Sequence, residues 1–174
     1  AKGLTSFPKA RVTSLGVSGS VLVATLVPKE LDPFSSEPVG AVVAVSLSDG
    51  KARVLAGKQV RPAESGTDGK SAVWTAGYPS ALSAVELAGG EPRSLFARGE
   101  GPVLLERGFV TFRHPVTGSP EVVRLALDGG EPLTLAKGEV DRLTQHGGDV
   151  WFSSGGTVSR VDSRGEHLAL VAAA

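Results

Sequence analysis

Short apolar runs alternate with polar turns along the whole chain. The runs are rich in β-branched and aromatic residues, and a glycine-containing turn precedes the clearest of them: VLVATLV (21–27), AVWTA (72–76), FVTF (109–112) and VWF (150–152). No stretch places apolar residues at i, i+3 and i+4 over several turns, as an amphipathic helix would. The pattern therefore predicts an all-β chain of short strands separated by tight turns.

One phrase recurs in the chain at a fixed spacing. Its three clear copies, whose first leucines stand 40 residues apart, are LSDGKARVL (47–55), LAGGEPRSL (87–95) and LDGGEPLTL (127–135). A degenerate fourth copy, VDSRGEHLAL (161–170), follows after a shorter interval. A period of this length is typical of units that bury their apolar faces by stacking on one another.

Each repeat unit contains four short apolar runs, which is the make-up of a β-propeller blade. We therefore predict a propeller segment of about four blades, each with four antiparallel strands, and with boundaries near residues 10–57, 58–98, 99–138 and 139–174.

Both ends of the chain align with the outer strand of a blade. Residues 1–9 align with an outer strand, although the last blade already has LALV (168–171) in that place. The sequence thus contains about five outer strands but only four sets of inner strands. A closed four-bladed ring needs equal numbers, so we predict that the chain is part of a larger or shared ring. The alternative is that residues 1–9 form a loose tail.

The repeat also predicts equivalent side chains. Leucines that follow the turn glycine of the phrase by five residues should share one inward-facing site on the outer strands: Leu55, Leu95, Leu135 and Leu170. Trp74 and Trp151 fall on second strands. We expect both to be buried between neighbouring sheets, because large aromatic side chains fill the widening wedge between blades.

The repeated phrase -GGEP-x-x-L-A, preceded by an aromatic strand such as AVWT or DVWF, resembles bacterial β-propellers related to the YWTD and NHL-type groups. The likeness covers residues 41–171 well and residues 1–40 less well. Where the YWTD tetrad would stand, the chain has VWTA (73–76), VTFR (110–113) and WFSS (151–154). The resemblance implies an architecture and no particular ligand.

Charge and composition narrow the choice of partners. Lysine plus arginine number 18, as do aspartate plus glutamate, so no net basic field favours nucleic acid or an anionic membrane. No apolar run approaches the roughly 18 residues of a membrane span. The chain has neither cysteine nor an initial methionine, which predicts removal of a signal peptide or excision from a longer chain. We expect an extracytoplasmic location: periplasmic, surface or secreted.

Candidate binding residues lie in the loops that leave the second strands and in the connections between blades, because these share one face of a propeller. The second-strand loops supply Phe34, Tyr78, Arg113 and His114. The inter-blade connections supply Arg61 and Glu100, together with Lys58, Gln59, Arg98, Lys137 and Glu139. The alternative interpretations are that the aromatic side chains merely cover strand ends and that the charged residues form solvated turns.

Catalytic motifs are absent from the sequence. The three histidines, His114, His146 and His167, fall at different places in the repeat, and none belongs to an HExxH pattern. No G-x-S-x-G elbow occurs, and the glycine pairs suit hairpin turns better than phosphate binding. The acidic residues Asp49, Asp128 and Asp162 stand singly, which favours turn formation over calcium binding. We predict no catalytic residue, metal site or cofactor.

These observations favour a non-catalytic binding or assembly module that docks a protein or peptide and whose ring is completed by another polypeptide or a second copy. The alternative is a subunit or fragment of a propeller lyase or hydrolase whose catalytic groups lie largely on missing blades.

Overall fold

The structure, a computed structural model, describes residues 6–30, 39–117, 119–162 and 164–172, the last six of them by backbone alone. Every regular element in these ranges is a β-strand, so the all-β prediction is confirmed for them. Among the described residues, no helix is long and apolar enough to cross a membrane. The predicted outer strand at residues 1–9 falls partly on residues 1–5, which lie outside the described part.

In the described part of the chain, sixteen strands form four sheets, which we call blades 1 to 4 in chain order. Blade 1 contains β1 (Ala10–Ser18), β2 (Val21–Pro28), β3 (Val39–Ser46) and β4 (Ala52–Val60). Blade 2 contains β5 (Ser65–Thr67), β6 (Ser71–Ala76), β7 (Ala81–Glu86) and β8 (Arg93–Phe96). Blade 3 contains β9 (Glu100–Glu106), β10 (Phe109–His114), β11 (Glu121–Ala126) and β12 (Leu133–Lys137). Blade 4 contains β13 (Arg142–His146), β14 (Asp149–Ser154), β15 (Thr157–Val161) and β16 (His167–Ala172).

Within each blade the strands pair in chain order and antiparallel, as four consecutive hairpin-linked strands do. The first strands of successive blades contact one another, so β1, β5, β9 and β13 are the innermost strands. Residues 168–171 belong to β16, which pairs with β15 and gives blade 4 its own outer strand.

The middle residues of the second strands of blades 1 to 3 are buried on both faces, and the alternation of side chains along a strand decides which neighbouring blade each one meets. The fourth residue of β6, Trp74, packs with Val23 of blade 1. The preceding residue, Val73, points the other way and packs with Val110 and Phe112 of blade 3. Blades 2 and 3 therefore each contribute one apolar face to each of two inter-blade cores.

Glycines let the innermost strands of blades 1, 2 and 3 approach closely. A Cβ on Gly16 would lie 2.8 Å from the Cα of Gly66, and a Cβ on Gly66 would lie 2.8 Å from the carbonyl oxygen of Val103. These distances are shorter than any side chain tolerates, so both positions require glycine unless the strands move apart.

Arginines of the repeated phrase link the outer strands. Arg53 of blade 1 donates through Nη2 to the carbonyl oxygen of Leu87 in blade 2. Arg93 of blade 2, at the same place one repeat later, donates to the carbonyl oxygen of Leu127 in blade 3. The third phrase has Leu133 there, and this side chain lies against Gly165 of blade 4.

Carboxylates near the first turns of blades 2 and 3 make comparable links to the next blade. Asp68 accepts a hydrogen bond from the amide of Gly108 at 3.3 Å. Glu106 accepts from the amides of Gly147 at 2.9 Å and Gly148 at 3.2 Å. Charge-assisted bonds to backbone amides are stronger than neutral ones, so these carboxylates fix each blade on the next.

The leucine prediction is confirmed for three members and wrong for the register of the fourth. Leu55, Leu95 and Leu135 each sit at a bulge in the outer strand and pack against an inter-blade core. Leu170 is instead a regular partner of Ser159, and the bulge of blade 4 falls two residues earlier. The degenerate phrase therefore has its bulge at a different residue from the three clear copies.

The tryptophan prediction is correct for Trp74 and wrong for Trp151. Trp74 is 1% exposed and donates through Nε1 to Oε1 of Gln59 at 3.2 Å. Trp151 is the third residue of its strand, whereas Trp74 is the fourth, so its ring lies on the opposite face and is only half-buried. Phe152 occupies the position equivalent to Trp74 and packs on blade 3.

A single buried arginine interrupts the apolar packing between blades 3 and 4. Arg124 is 4% exposed, donates to the carbonyl oxygen of Gly148 at 3.0 Å and lies 5.1 Å above the ring of Phe109. Burial lowers the pKa of the Arg124 guanidinium, and the charges of Glu106, Asp149 and Asp162 oppose that change. An arginine guanidinium stays charged in proteins, and the three carboxylates stabilise this charged form.

The predicted turn role of the acidic residues is clearest at Asp162. Its Oδ1 accepts hydrogen bonds from the amides of Arg164 at 2.8 Å and Glu166 at 3.0 Å. These backbone hydrogen bonds lower the pKa of the Asp162 carboxyl. The carboxylate therefore organises the turn that joins β15 to β16.

The four blades form an open array in the described part of the chain. Its hydrophobic clusters join blade 1 to 2, blade 2 to 3 and blade 3 to 4, and no cluster joins blade 4 to blade 1. One face of blade 1 and one face of blade 4 are therefore not packed on another blade.

Replacing Trp74 with alanine should lower the free energy of unfolding by ~3–5 kcal/mol, because it empties the core between blades 1 and 2. Urea unfolding followed by circular dichroism measures the change. Trp151→Ala is the matched control and should cost clearly less, since that ring packs on no other blade. Equal losses for the two variants would contradict the assigned faces.

Removing the carboxylate of Glu106 should destabilise the contact between blades 3 and 4. Glu106→Ala leaves the amides of Gly147 and Gly148 without their acceptor, and we expect a loss of ~1–3 kcal/mol in unfolding free energy. Glu91→Ala, in an exposed turn, should change stability by less than ~0.5 kcal/mol. Hydrogen exchange should show faster exchange at Gly147 and Gly148 in the first variant only.

Candidate functional site

The candidate residues on the described chain share one rim of the array. The second and fourth strands of each blade run in the same direction, so second-strand loops and inter-blade connections emerge at the same end. Arg61, Tyr78, Glu100, Arg113 and His114 lie at or beside these segments. Phe34 lies outside the described residues.

A cavity of 570 Å³ opens on this rim between blades 2, 3 and 4. Three carboxylates and two guanidinium groups line it: Glu64, Glu100, Asp141, Arg113 and Arg142. Thr75 and Ser80 add hydroxyl groups. Both signs of charge and several neutral donors thus meet in one concave space, which suits a polar ligand or an extended peptide.

Arg113 holds the wall of this cavity in place. Its Nε donates to the carbonyl oxygen of Gly101 at 2.6 Å, and its Nη1 reaches the carbonyl oxygen of Val140 at 3.4 Å. These bonds join the start of β9 to the connection that leads into blade 4. A guanidinium carries more N–H donors than these two bonds use, so Arg113 has others to offer a ligand.

Glu64 is positioned by its neighbours in blades 1 and 3. Its Oε2 accepts a hydrogen bond from the Ser14 hydroxyl at 3.4 Å, and that hydroxyl oxygen accepts the amide of Ser65 at 3.0 Å. A Cβ on Gly101 would collide with the Glu64 side chain. Glycine at position 101 therefore makes the space in which this carboxylate lies.

A second cavity, of 380 Å³, adjoins the first through Glu100 and Arg113. Its other walls are Pro115, Val116, Pro120 and Glu139. The two cavities form one polar groove along the rim of blades 2 to 4, with Arg113 at its centre.

Tyr78 and Arg61 stand together beside the groove. The Tyr78 ring is 85% exposed, and the Arg61 guanidinium lies 5.4 Å from its centroid. Tyr78 is two residues from Ser80, and Arg61 is two residues from Ala63; both Ser80 and Ala63 line the first cavity. An exposed tyrosine held by an arginine is a common feature of protein-binding surfaces.

Three further candidates have structural partners. The His114 ring packs edge-on against Phe96, with 5.0 Å between centroids, and Phe96 in turn packs on Phe112. Lys137 forms an ion pair with Glu121 at 3.5 Å. Gln59 accepts the indole N–H of Trp74, as described above, so it serves the core.

The sequence pattern did not point to Glu64, Asp141 and Arg142. Asp141 and Arg142 stand in VDRL (140–143), which was interpreted only as an inner strand, and Glu64 stands in a connection between blades. Their position could have indicated a place at the rim, because each lies within a few residues of the start of a first strand.

Other features do not form a comparable site in the described part of the chain. No group of three or more acidic, histidine or cysteine side chains is placed to hold a metal ion. His114 and His146 lie on opposite rims, because β10 and β13 end at opposite ends of their blades. A cavity of 620 Å³ on the far rim contains Asp68 and Glu106, whose carboxylates already bind the next blade.

Comparison with solved structures identifies the architecture. The chain is similar to a chain of a nidogen/laminin complex, with a TM-score of 0.61, 12% identity, and coverage of 98% of this chain and 83% of that one. It is similar to TolB from Acinetobacter baumannii, with a TM-score of 0.64, 16% identity, and coverage of 94% and 43%. It is similar to the β-propeller domain of the Trilobed protease from Pyrococcus furiosus, with a TM-score of 0.69, 10% identity, and coverage of 98% and 59%.

The chain thus spans less than two thirds of the second and third of these structures. No protein-family model matches the chain, and no curated protein matches it in sequence. At these identities the likeness concerns the fold alone. The predicted β-propeller architecture is confirmed, as four blades of an open array.

Proposed function

We propose that this chain is a non-catalytic binding module that docks a protein or peptide on the rim formed by its second-strand loops. The observation that carries the proposal is the continuous polar groove between Glu64 and Glu139, with the exposed Tyr78 and Arg61 beside it.

The groove's chemistry favours a peptide with a basic side chain. Glu64, Glu100 and Asp141 offer carboxylates to an ammonium or guanidinium group. Arg113 and Arg142 supply donors for the carbonyl oxygens of an extended peptide backbone. Charged groups that line a concave site interact more strongly than the same groups on a convex surface, because less water screens them.

The proposal includes a ring completed by another polypeptide or a second copy of this chain. Two blade faces are not packed on another blade, and Leu15 and Val54 at the edges of the blade 1 face are exposed apolar side chains, which favours a covering partner.

We also propose an extracytoplasmic location. The complete absence of cysteine suits an oxidising compartment, where unpaired thiols would be liable to mispair.

An enzymatic role is the second candidate. Oligogalacturonate lyase in complex with manganese is among the similar structures, with a TM-score of 0.63 and 10% identity. That likeness is one of fold, whereas the groove is a feature of this chain's own residues. We therefore place the binding role first.

Three labelled decapeptides of alanine and glycine that differ only in a central Lys, Gln or Glu test the binding role. We expect the Lys peptide to bind most tightly by fluorescence anisotropy, and its affinity to fall as ionic strength rises. Glu100→Gln combined with Asp141→Asn should weaken the Lys peptide about tenfold or more, since each loss removes a charge-assisted contact.

Glu91→Gln is the matched control, because it removes the same charge from a turn on the opposite rim. It should leave the affinity unchanged. Equal affinity for the three peptides, or the same loss in the control, would reject the groove as the binding site.

A further inference from the structure

We propose, on the basis of the binding function proposed above, that Gly101 determines the specificity of the groove. The space left by its missing side chain lets Glu64 act as the carboxylate that binds the basic group of the peptide. Gly101 is then a positioning residue, because it acts through Glu64.

Glu64 differs from the other two carboxylates of the first cavity in its surroundings. It is half-buried, whereas Glu100 and Asp141 are exposed. A charge that is partly withdrawn from water interacts more strongly with a bound cation, while exposed ion pairs contribute little. The selection of a basic side chain therefore depends most on Glu64.

The Glu64 carboxylate is not neutralised by the arginines of the groove. In the part of the chain that the structure describes, neither Arg113 nor Arg142 forms an ion pair with it. Arg113 donates instead to the carbonyl oxygens of Gly101 and Val140. The negative charge of Glu64 thus remains available to a cation of the ligand.

Gly101 lies between the Glu64 and Arg113 side chains. Its carbonyl oxygen accepts the Nε–H of Arg113 at 2.6 Å. A Cβ on Gly101 would lie 2.1 Å from Cγ and 2.7 Å from Cδ of Glu64. The Glu64 side chain therefore occupies the place that a side chain at position 101 would take.

The backbone gives no other reason for glycine at position 101. The φ of Gly101 lies outside the positive range that favours glycine. The three atoms that an added Cβ would meet first all belong to the Glu64 side chain, whereas at Gly16 and Gly66 the nearest atom is a backbone atom. A methyl group at position 101 therefore displaces a flexible side chain and leaves the strands in place.

Ser14 of blade 1 orients the same carboxylate. The Ser14 hydroxyl oxygen accepts the amide of Ser65 at 3.0 Å and donates to Oε2 of Glu64 at 3.4 Å. A hydroxyl group has one hydrogen to donate, and here Glu64 receives it. Blade 1 thus directs the carboxylate, and Gly101 of blade 3 gives it room.

The three decapeptides with a central Lys, Gln or Glu test the role of Gly101. In Gly101→Ala we expect the affinity for the Lys peptide to fall about tenfold, because the charged group loses its acceptor, and the affinity for the Gln peptide to stay unchanged. Glu64→Gln should give the same pair of results. Gly57→Ala is the matched control and should change neither affinity, since a Cβ there would meet only Val54, at 4.0 Å.

The double variant Gly101→Ala with Glu64→Gln shows whether the glycine acts through Glu64. It should bind the Lys peptide no more weakly than Glu64→Gln alone. Independent effects would multiply to a loss of about a hundredfold, and that result would overturn the positioning role. An equal loss for all three peptides in Gly101→Ala would also overturn it, because the methyl group would then have disturbed the backbone of the groove.

Ser14→Ala provides a test that does not depend on the folding of Gly101→Ala. We expect a two- to threefold lower affinity for the Lys peptide, about the effect of one neutral hydrogen bond, and no change for the Gln peptide. The urea midpoint of each variant, followed by circular dichroism, shows that the variant is folded. An unchanged affinity for the Lys peptide would contradict the assigned orientation of Glu64.

Failure of this inference and failure of the groove give different results. Equal affinity of the three peptides for the unmodified chain would reject the groove itself. A preference for Lys that is present in the unmodified chain and survives either Gly101→Ala or Glu64→Gln would reject the positioning role. The groove would then stand, with Glu100 and Asp141 as the acceptors of the basic group.

Discussion

Packing between neighbouring blades is the constraint on which the rest of the structure depends. Blades 2 and 3 are single sheets that bury apolar side chains on both faces, so each of them requires a neighbour on each side. Trp74 and Val73 illustrate this, because adjacent residues of one strand belong to two different cores. The rim loops have no such packing of their own, and they take their positions from the blades that they connect.

The periodicity of the sequence was sufficient to predict the strands, the blade-like units and the general rim on which the polar loops emerge. It could not predict which face a side chain occupies when two copies differ by one residue in register. Trp151 shows this limit, because it stands one position before the residue equivalent to Trp74. Leu170 shows another, because the bulge of its strand falls two residues earlier than the phrase predicts. A one-residue shift reverses the face of every side chain that follows.

The groove was predictable only in part. Arg113 and Glu100 were candidates because they lie at strand ends, but Glu64, Asp141 and Arg142 approach them only because blades 2 to 4 converge at this rim. Convergence of segments from separate repeats is a tertiary property, and the spacing within any one repeat carries no trace of it. The same holds for Arg53 and Arg93, whose recurrence was visible although their acceptors on the next blade were not.

Those arginine contacts have a consequence for how such a chain can change over evolution. Their acceptors, like the donors that face Asp68 and Glu106, are main-chain atoms. A main-chain carbonyl oxygen is present whatever residue occupies the position. The sequence of one blade can therefore change while the hydrogen bond from the neighbouring blade is kept. A duplicated unit of about the same length would meet the same contacts as the unit it copied. Lengthening by whole units is therefore the change that this architecture tolerates most readily.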